Sequence, residues 1–361
     1  MRVKMERILI INPGSVSTKV AVFEDEKEKL SITLHHLSEE LSKYPTVYSQ
    51  YPFRKKVIID FLKKKGLTPK DFNCIVGRGG VLHPIESGTY IVNEKMKEDM
   101  KNARYGEHAS NLGAILADEI AKENDARAFI VDPVVVDEMV DFARLSGHPM
   151  FERKSIFHAL NQKAVARDIA VKIRKRYEDC NFVVAHMGGG VSIGAHMKGK
   201  IVDINNALNG DGPFSPERCG TVPITQLLEL CYSGKYTYKE MKKKIKGRGG
   251  FVAHLGTNDA RKILKMIESG DKHAELIFNA FTYQVSKWIC KMATILKGEI
   301  DAIILTGGLA YSERLVSLIK ERVSFLAPVE VVPGGDEMRA LALGALRVLR
   351  GEEKAKIYDG R

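Results

Sequence analysis

Cysteines are few in this sequence and long apolar runs are absent, and each absence excludes a class of protein. The five cysteines are scattered and no two have C-x-x-C spacing, which argues against a disulfide framework and a zinc site. No apolar run approaches the ~18 residues of a membrane-spanning helix. The start, Met1–Arg7, leads into a short apolar run without the longer core and cleavage site of a secretory signal. We therefore expect a cytoplasmic protein that does not contact the membrane.

Acidic residues are fewer than basic ones, with 45 Asp and Glu against 56 Lys and Arg, for a formal net charge of +11. Such an excess of positive charge is compatible with binding to nucleic acid, to a membrane surface or to a small anionic substrate. The basic clusters, such as Arg54–Lys56 and Lys242–Lys246, alternate with apolar residues at roughly helical spacing, which predicts solvated faces of amphipathic helices. No aromatic stacking platform accompanies them. We expect a small anionic substrate and no nucleic acid.

The 361-residue chain is longer than one hydrophobic core usually serves, and its pattern indicates a duplicated domain. Near the start, the strands Arg7–Ile11 and Lys19–Phe23 flank a turn that contains Gly14. Aligning Gly14 with Gly188 shows the same strand, Gly/Ser turn and strand again, 174 residues later (188 minus 14). This spacing has the scale of a domain. We predict an α/β protein of two similar domains, each with a mixed β-sheet flanked by helices.

The predicted domains cover residues 1–148 and 149–335, joined at the polar, Gly- and Pro-containing segment Ser146–Pro149. Residues 336–350 should form a last helix, capped by Asp336, that packs back across the domains, and residues 351–361 a polar, mobile tail. Outside the hairpins, the expected elements are strands at 73–76, 128–131, 301–305 and 329–332 and helices at 111–122, 155–174, 224–232, 259–268 and 272–297.

Three glycine-containing turns follow predicted strands, at Gly14-Ser15, Gly188–Gly190 and Gly307-Gly308. Glycines let backbone N–H groups approach an anion closely. One such turn is most often only a turn, but three of them, two in equivalent places of a duplication, indicate phosphate binding. Side chains that would add donors or charge are Ser15, Ser17, Thr18, Lys19 and Ser192. Neither the P-loop motif nor the dinucleotide fingerprint is present.

The sequence resembles the acetate and butyrate kinase family, within the actin, sugar-kinase and Hsp70 ATPase superfamily. Ile11–Lys19 resembles that family's first phosphate loop. The further matches run in order along the chain: Gly77–Gly80, Gly106–Asn111, Val131–Pro133, Ile156–Ala159, His186–Ser192, Glu217–Thr221 and Leu305–Gly308. Asn-Pro-Gly-Ser at the start and Glu-His-Ala-Ser-Asn later on look like the butyrate kinase branch.

The resemblance implies a duplicated, ribonuclease H-like or actin-like ATPase fold with an active site in the cleft between the domains. It also implies a homo-oligomer that uses ATP with Mg²⁺ to phosphorylate a short-chain fatty acid: butanoate plus ATP gives butanoyl phosphate plus ADP. Because two anions must meet, the reaction needs positioning and cationic stabilisation. It needs no general base, since the carboxylate is already ionised at neutral pH.

Roles for individual residues follow from the same resemblance. Arg78 and Arg218 are expected to bind the carboxylate and the transferring phosphoryl group, because the planar guanidinium binds both in a bidentate way. His158 should donate a hydrogen bond to the phosphoryl group, and Asp132 should orient an arginine or the metal's water shell. The residues expected at the ATP phosphates are Asn12, Ser15, Ser17, Lys19, His186, Gly188, Gly189, Gly190, Gly307 and Gly308. His108 and Asn111 are candidates for the substrate pocket.

The metal ligands depart from the family pattern. Acetate kinases carry a glutamate shortly after the third glycine turn, where this chain has Tyr311. Glu313 and Glu337 are the nearest substitutes, and we take Asn12 and Glu337 as the candidate ligands. Mg²⁺ usually keeps several waters and uses few carboxylates, so a small contribution from the protein is sufficient.

Each candidate residue also fits a structural role. The alternatives are a surface turn for Arg78, an ion pair with Glu217 for Arg218, a core histidine for His158, a helix cap for His108 with Asn111, and a turn before Pro133 for Asp132.

Alternatives for the function also stay open at this level. Isobutyrate or another branched acid, propionate and acetate are rival acceptors, since one methylene is worth only about 1–3 kcal/mol of discrimination. A non-catalytic, actin-like nucleotide-binding protein belongs to another class. Arg78 and Arg218 argue against it, because such a protein has no carboxylate to neutralise. The physiological acid, the direction of the reaction and the size of the oligomer stay open.

Overall fold

A computed structural model describes residues 5–361, which form two compact units. The first unit comprises the chain up to Val136 together with Asp336–Arg361, and the second comprises Asp137–Gly335. The division therefore comes earlier than the segment Ser146–Pro149. The reason is that the intervening residues are tied to the second unit, where Glu138 accepts a hydrogen bond from the fully buried Lys163 at 2.8 Å.

The elements alternate along the chain much as the sequence predicts. The strands are β1 (Arg7–Pro13), β2 (Ser17–Glu24), β3 (Lys27–His35), β4 (Cys74–Gly77), β5 (Thr89–Ile91), β6 (Arg127–Val131), β7 (Asn181–Met187), β8 (Val191–Met197), β9 (Lys200–Ile204), β10 (Ala302–Gly307), β11 (Val329–Pro333) and β12 (Lys356–Ile357).

The α-helices are α1 (Ser38–Leu41), α2 (Tyr51–Lys64), α3 (Glu94–Lys101), α4 (Asn111–Ala121), α5 (Asp141–Arg144), α6 (Ala159–Lys172), α7 (Ile224–Tyr232), α8 (Tyr238–Ile245), α9 (Gly250–Leu255), α10 (Ala260–Glu268), α11 (Lys272–Ile295), α12 (Glu313–Val323) and α13 (Glu337–Leu349). Short 3₁₀ turns lie at Tyr48–Gln50, Pro69–Asp71, Tyr177–Asp179 and Gly308–Tyr311. Within residues 5–361, no helix has both the length and the apolar character that crossing a membrane requires.

The first unit contains a seven-stranded mixed sheet in the order β12-β5-β6-β4-β1-β2-β3. Strands β1, β2 and β3 form an antiparallel meander, and β4 and β6 continue the sheet parallel to β1. The apolar runs of β1 and β4 are buried because helices cover the sheet, among them α4 and α13. This arrangement puts the carboxyl ends of β1, β4 and β6 at one edge of the sheet, where the glycine-containing segments begin.

The second unit contains a five-stranded sheet in the order β11-β10-β7-β8-β9. Strands β7, β8 and β9 form an antiparallel meander, and β10 and β11 run parallel to β7. Phe278 and Phe281 of α11 pack into the core on one face, and Val165 and Ile169 of α6 pack on Phe182 in a second cluster. The order and directions match those of β6-β4-β1-β2-β3, so the predicted duplication is confirmed.

The C-terminal residues are not the mobile tail that their composition predicts. Helix α13 packs on the sheet of the first unit, where Gly344 lies so close to Val131 that a Cβ atom would collide with it. Beyond α13, β12 pairs in parallel with β5. Tyr358 is 2% exposed, and its hydroxyl donates a hydrogen bond to Asp99 at 2.9 Å. The tail is therefore an integral part of the first unit.

The Tyr358–Asp99 hydrogen bond predicts a loss of stability when the hydroxyl is removed. Tyr358→Phe should lower the free energy of unfolding by about 1–3 kcal/mol, because the buried Asp99 carboxylate loses a donor. Urea unfolding followed by circular dichroism measures the change. Tyr311→Phe, whose ring is 71% exposed, is the matched control. Equal stability of the two variants would mean that the tail does not dock in solution.

Candidate functional site

The turn between β1 and β2 collects the first group of predicted phosphate-binding residues. The Gly14 N–H donates to the Ser17 carbonyl at 2.8 Å, which closes the turn. Ser15 is exposed and Ser17 is half-buried. Lys19 is exposed on β2 and lies directly opposite Asn12 on β1, so their side chains share one face of the sheet. The structure therefore brings these residues together, and their role toward phosphate stays a prediction.

Arg54 holds this turn from behind, and the prediction that it lies on a solvated face is wrong. Its side chain is fully buried. Nη1 donates to the carbonyl oxygens of Gly14 and Ser17, both at 2.9 Å, and Nη2 donates to that of Ser15 at 3.1 Å. Because C=O and N–H of a peptide group point in opposite directions, the N–H following each bound carbonyl faces away from Arg54. The turn thus offers N–H groups on its far side, which suits an anion.

The signal for Arg54 is present in the sequence, in its spacing. It lies four residues before Ile58 and seven before Phe61, and both of these face the core. A basic residue in register with the buried face of a helix needs polar partners inside the protein.

Thr18 belongs to the same buried network and is not available as a surface donor. It is fully buried, its hydroxyl oxygen accepts a hydrogen bond from Arg54, and it lies 2.8 Å from Nε2 of His36. Burial lowers the pKa of Arg54 to about 10, so this guanidinium stays charged at neutral pH. Burial, with a smaller effect of the Arg54 charge, lowers the pKa of His36 to about 4, so this ring is neutral.

Arg78 follows β4 and meets two other candidates of the first unit. Its Nη1 forms an ion pair with Oε1 of Glu337 at 2.8 Å, although the two groups are not aligned for a hydrogen bond. The other carboxylate oxygen of Glu337 accepts a hydrogen bond from Nδ2 of Asn12 at 2.8 Å. The Arg78 side chain is 16% exposed, so the surface-turn alternative does not describe it. Asn12, Arg78 and Glu337 thus form one cluster, which we call the Arg78 cluster.

Close backbone packing holds the Arg78 loop in place. A side chain on Gly77 would collide with the backbone of Gly113 in α4, and one on Gly113 would collide with that of Arg78. Asn111 is buried; its Oδ1 accepts from the Val81 N–H at 2.9 Å and its Nδ2 donates to the Gly106 carbonyl. Asn111 therefore supports the loop from the start of α4.

His108 lies beside this support. It is exposed and its Nδ1 lies 2.8 Å from the Ser110 hydroxyl, next to the start of α4, which is the local arrangement expected of a residue near a helix start. A role for His108 in a substrate pocket stays a prediction.

Asp132 is buried directly after β6 and has φ of +38°, a backbone conformation that few residues other than glycine adopt. Its Oδ1 accepts a hydrogen bond from the Gly88 N–H at 2.7 Å, and its own N–H donates to the Gly88 carbonyl. These bonds fasten the end of β6 to the segment before β5. Its expected action on an arginine or a metal's water shell stays a prediction.

The turn between β7 and β8 repeats the first turn in the second unit. The Gly188 N–H donates to the Gly190 carbonyl at 2.9 Å, and the Ser215 hydroxyl donates to the Gly189 carbonyl at 2.7 Å. Ser215 thus binds a turn carbonyl as Arg54 does in the first unit. Sequence reasoning missed both residues, because neither lies in the turn itself.

The third glycine turn approaches the second one within the same unit. Gly307 has φ of +86°, and a side chain there would collide with the backbone of Met187 at the end of β7. Gly308 is exposed and has open space around it. The structure therefore explains the requirement for glycine at Gly307 by close approach, and it leaves Gly308 accessible.

His158 and His186 stack on each other, with ring centroids 3.9 Å apart and planes inclined by 15°. His158 precedes α6 rather than lying within the predicted helix 155–174, because its backbone dihedrals (φ −86°, ψ 61°) are not helical. Its Nδ1 lies 2.9 Å from the hydroxyl of Ser192, and Nδ1 of His186 lies 2.5 Å from Oδ1 of Asn161. Ser192 is fully buried, so the prediction that its hydroxyl donates to phosphate is wrong.

Arg218 lies against the second glycine turn. A side chain on Gly190 would collide with the guanidinium, which also donates a hydrogen bond to the Ala207 carbonyl. Burial lowers the pKa of Arg218. Its neighbour Glu217 accepts a hydrogen bond from Asn258 at 2.7 Å instead of forming the ion pair that was the structural alternative for Arg218. The second unit therefore brings Arg218, the turn and the two histidines into one group.

A resident metal would receive few ligands from this protein. Across residues 5–361, no cluster of three or more His, Cys, Asp or Glu side chains offers a ready-made site. Glu337 is a carboxylate that contacts Asn12, in the Arg78 cluster, whereas Glu313 lies exposed at the start of α12 in the second unit. One carboxylate and one amide oxygen suit a hard cation that keeps most of its waters.

The Arg54 contacts predict an effect on the first turn. Arg54→Met should lower the free energy of unfolding by about 2–4 kcal/mol, because three partly buried carbonyls lose hydrogen bonds from a charged donor. Hydrogen exchange measured by mass spectrometry should speed up at Gly14–Ser17. Lys56→Met, at an exposed position of the same helix, is the control and should change neither quantity. An unchanged rate of hydrogen exchange at Gly14–Ser17 in Arg54→Met would refute the role of Arg54 in holding this turn.

Comparison with known proteins shows the family. Butyrate kinase 1 of Clostridium acetobutylicum is 56% identical over 354 residues, which cover 98% of this chain and 100% of that protein. The family model described as the acetokinase family matches residues 149–327.

Solved structures show the same fold at low sequence identity. The acetate kinase of Porphyromonas gingivalis has a TM-score of 0.79 at 17% identity and covers 95% of this chain and 100% of its own. A propionate kinase of Francisella tularensis has a TM-score of 0.74 at 17% identity, with 94% and 99% covered. The fold, the ordered motifs and the full-length similarity agree, and this chain belongs to the acetokinase family.

Proposed function

We propose that this chain transfers the γ-phosphoryl group of ATP to the carboxylate of a short-chain fatty acid, and that butyrate is its preferred acid. The observation that carries the proposal is Arg78, which contacts the carboxylate of Glu337 at 2.8 Å from a loop that backbone packing holds rigid. The 56% identity to a butyrate kinase supports the choice of acid.

The main obstacle to this reaction is repulsion between the anionic carboxylate and the anionic phosphoryl group, and the two arginines would reduce it. Arg78 would neutralise the carboxylate, and Arg218, beside the Gly188–Gly190 turn, would stabilise the transferring phosphoryl group. Partial burial strengthens both interactions, because water screens them less. The transferring group moves directly to the carboxylate, so that the bond to ADP breaks as the bond to the acid forms.

The glycine turns and the histidines complete the proposed machinery. The N–H groups that face away from Arg54 would bind ATP phosphates, together with Lys19. In the second unit, the Gly188–Gly190 turn and His186 would do the same, and His158 would donate a hydrogen bond to the phosphoryl group in the transition state.

Mg²⁺ is the cation that we propose to accompany ATP, and it would neutralise phosphate charge when bound. Glu337 and the side-chain oxygen of Asn12 would hold it, directly or through water. The ion pair with Glu337 occupies Arg78 in this structure. A carboxylate shared between an arginine and a metal would thus connect the cation to the residue that binds the acid.

We also propose that the protein works as a homo-oligomer. Helix α7 exposes large apolar side chains, including Ile224 (74% exposed) and Tyr232 (88% exposed). Apolar surface of this kind is most often covered by association. The cytoplasmic location expected from the sequence stays a prediction.

The decisive test is ATP-dependent formation of an acyl phosphate by the purified protein with Mg²⁺. Hydroxylamine traps the product, and the acids run from acetate to valerate with branched isomers included. We expect turnover to peak at the four-carbon acids. A peak at acetate or propionate would replace butyrate as the acceptor, and the absence of turnover with every acid, while ATP still binds, would refute the enzyme and favour an actin-like binding protein.

Two variants test the proposed roles of the arginines in that assay. Arg78→Gln and Arg218→Gln should each remove turnover while calorimetry shows ATP binding within a few-fold of the unmodified protein. The reason is that Arg78 is proposed to act on the acid, and Arg218 mainly on the charge that develops on the phosphoryl group in the transition state, rather than on ATP in its ground state.

Glu337→Gln should raise the Mg²⁺ concentration for half-maximal rate by about tenfold or more, because loss of a charged ligand or of a partner to a ligand typically weakens metal binding that much. The measurement is the rate against Mg²⁺ at fixed ATP and acid. Glu313→Gln is the control and should leave the curve unchanged. An unchanged Mg²⁺ curve in Glu337→Gln, with only the KM for the acid altered, would show that Glu337 acts on Arg78 and not on the metal.

A further inference from the structure

A buried chain of hydrogen bonds leads away from His158 into the second unit. Ser192 Oγ lies 2.9 Å from His158 Nδ1 and also accepts a hydrogen bond from Gln162 Nε2 at 2.8 Å. Gln162 in turn contacts His196, which contacts Tyr177. Four of these side chains are at most 4% exposed, so solvent does not compete for their hydrogen bonds: Gln162, Tyr177, Ser192 and His196.

Each donor in this chain can be assigned in turn. Gln162 Nε2 lies 3.0 Å from the carbonyl oxygen of Ser192, which can only accept, so the amide nitrogen of Gln162 must face Ser192. Its amide oxygen therefore faces Nε2 of His196, at 3.0 Å, and this ring nitrogen must carry a proton. A side chain at Gly194 would press on the same amide oxygen, which shows how closely the strand encloses it.

The far end of the chain agrees with this assignment. Burial holds the pKa of His196 well below its usual value, so the ring is neutral and carries one proton. With that proton on Nε2, Nδ1 accepts a hydrogen bond from the Tyr177 hydroxyl, 2.8 Å away. Every donor then faces an acceptor, and the far end is compatible with the orientation of Gln162 that the Ser192 carbonyl fixes.

Ser192 connects Gln162 to His158, because its hydroxyl oxygen contacts both side chains. One N–H of Gln162 is directed at the Ser192 oxygen, and of the two side chains that contact Ser192 Oγ in this chain of hydrogen bonds only His158, through Nδ1, can accept the hydroxyl proton. We propose that Ser192 is a positioning residue that keeps His158 in the tautomer with its proton on Nε2. This proposal rests on the proposed function in one respect: Nε2–H is the donor that the transferring phosphoryl group would meet.

His186 is held the other way round. Its Nδ1 faces Asn161 Oδ1 at 2.5 Å, and an amide oxygen accepts, so Nδ1 of His186 carries a proton. The two stacked rings therefore carry their protons on different nitrogens. A single tautomer at each ring gives the site one fixed pattern of donors and acceptors, whereas a mixture would leave part of the molecules without the His158 donor.

The test is a long-range ¹H–¹⁵N correlation spectrum of protein labelled at histidine, with the His158 signals assigned from His158→Gln. In the unmodified protein we expect the His158 pattern of a ring protonated on Nε2. In Ser192→Ala we expect a mixture of tautomers. The spectrum is recorded on the resting protein, so it reads the tautomer whether or not the proposed reaction is correct.

Kinetics give the second measurement. Ser192→Ala should lower kcat by about tenfold, the lower end of the roughly 10- to 100-fold effect of the partners that fix the tautomer and orientation of metal-binding histidines. The KM for ATP should change by less than about twofold, because the Nε2–H donor of His158, which is lost in part of the molecules, acts on the transition state. Ser192→Thr, which keeps the hydroxyl, should restore the Nε2 tautomer and most of the rate.

Ser286→Ala is the matched control. Ser286 is a buried serine of α11 whose hydroxyl donates to the Thr282 carbonyl within that helix, and its loss should change neither the spectrum nor kcat. A resting His158 protonated on Nδ1 would overturn the proposal. So would a shifted tautomer in Ser192→Ala with an unchanged kcat, or an equal loss of rate in both alanine variants.

Discussion

The carbonyl groups of the glycine-containing turns impose the constraint on which the site depends. A turn can present its N–H groups to an anion only if its carbonyl oxygens are bound elsewhere, since each peptide group carries both. Arg54 does this in the first unit and Ser215 does it in the second. The duplicated hairpins thus share a geometry, although the residues that support them have different chemistry and come from different elements.

Burying Arg54 without a carboxylate carries a desolvation cost, of several kcal/mol for an ion taken out of water. The cost is offset because its N–H groups meet carbonyl oxygens, a hydroxyl and the Gln50 side chain, and hydrogen bonds to a charged group are worth about 1.5–3 kcal/mol each. A carboxylate partner would cancel the positive charge behind the turn. Carbonyl partners leave that charge in place, where it favours an anion on the far side.

The Arg78 cluster depends on the path of the chain between the two units. Glu337 is 325 residues from Asn12 in sequence. It reaches the cluster because the chain passes through the whole second unit and then returns to the first unit in α13. The chain thus supplies a carboxylate beside Asn12 in the first unit, whereas Tyr311, where acetate kinases carry a glutamate, belongs to the second unit. The ion pair between Glu337 and Arg78 holds both side chains within the cluster.

Local pattern was enough to predict much of this protein. The periods of apolar residues, the turn glycines and the repeat of 174 residues predicted most strands and helices and the duplication, and the resemblance of the ordered motifs indicated the family. Tertiary structure decided which polar groups serve the interior: Arg54, Thr18 and Ser192 have the composition of surface donors, yet each is buried among partners 18 to 40 positions away. Patterns of period two or 3.6 report which face of an element is buried, but they carry no information on which distant donor meets which acceptor, and that pairing exists only once the chain has folded.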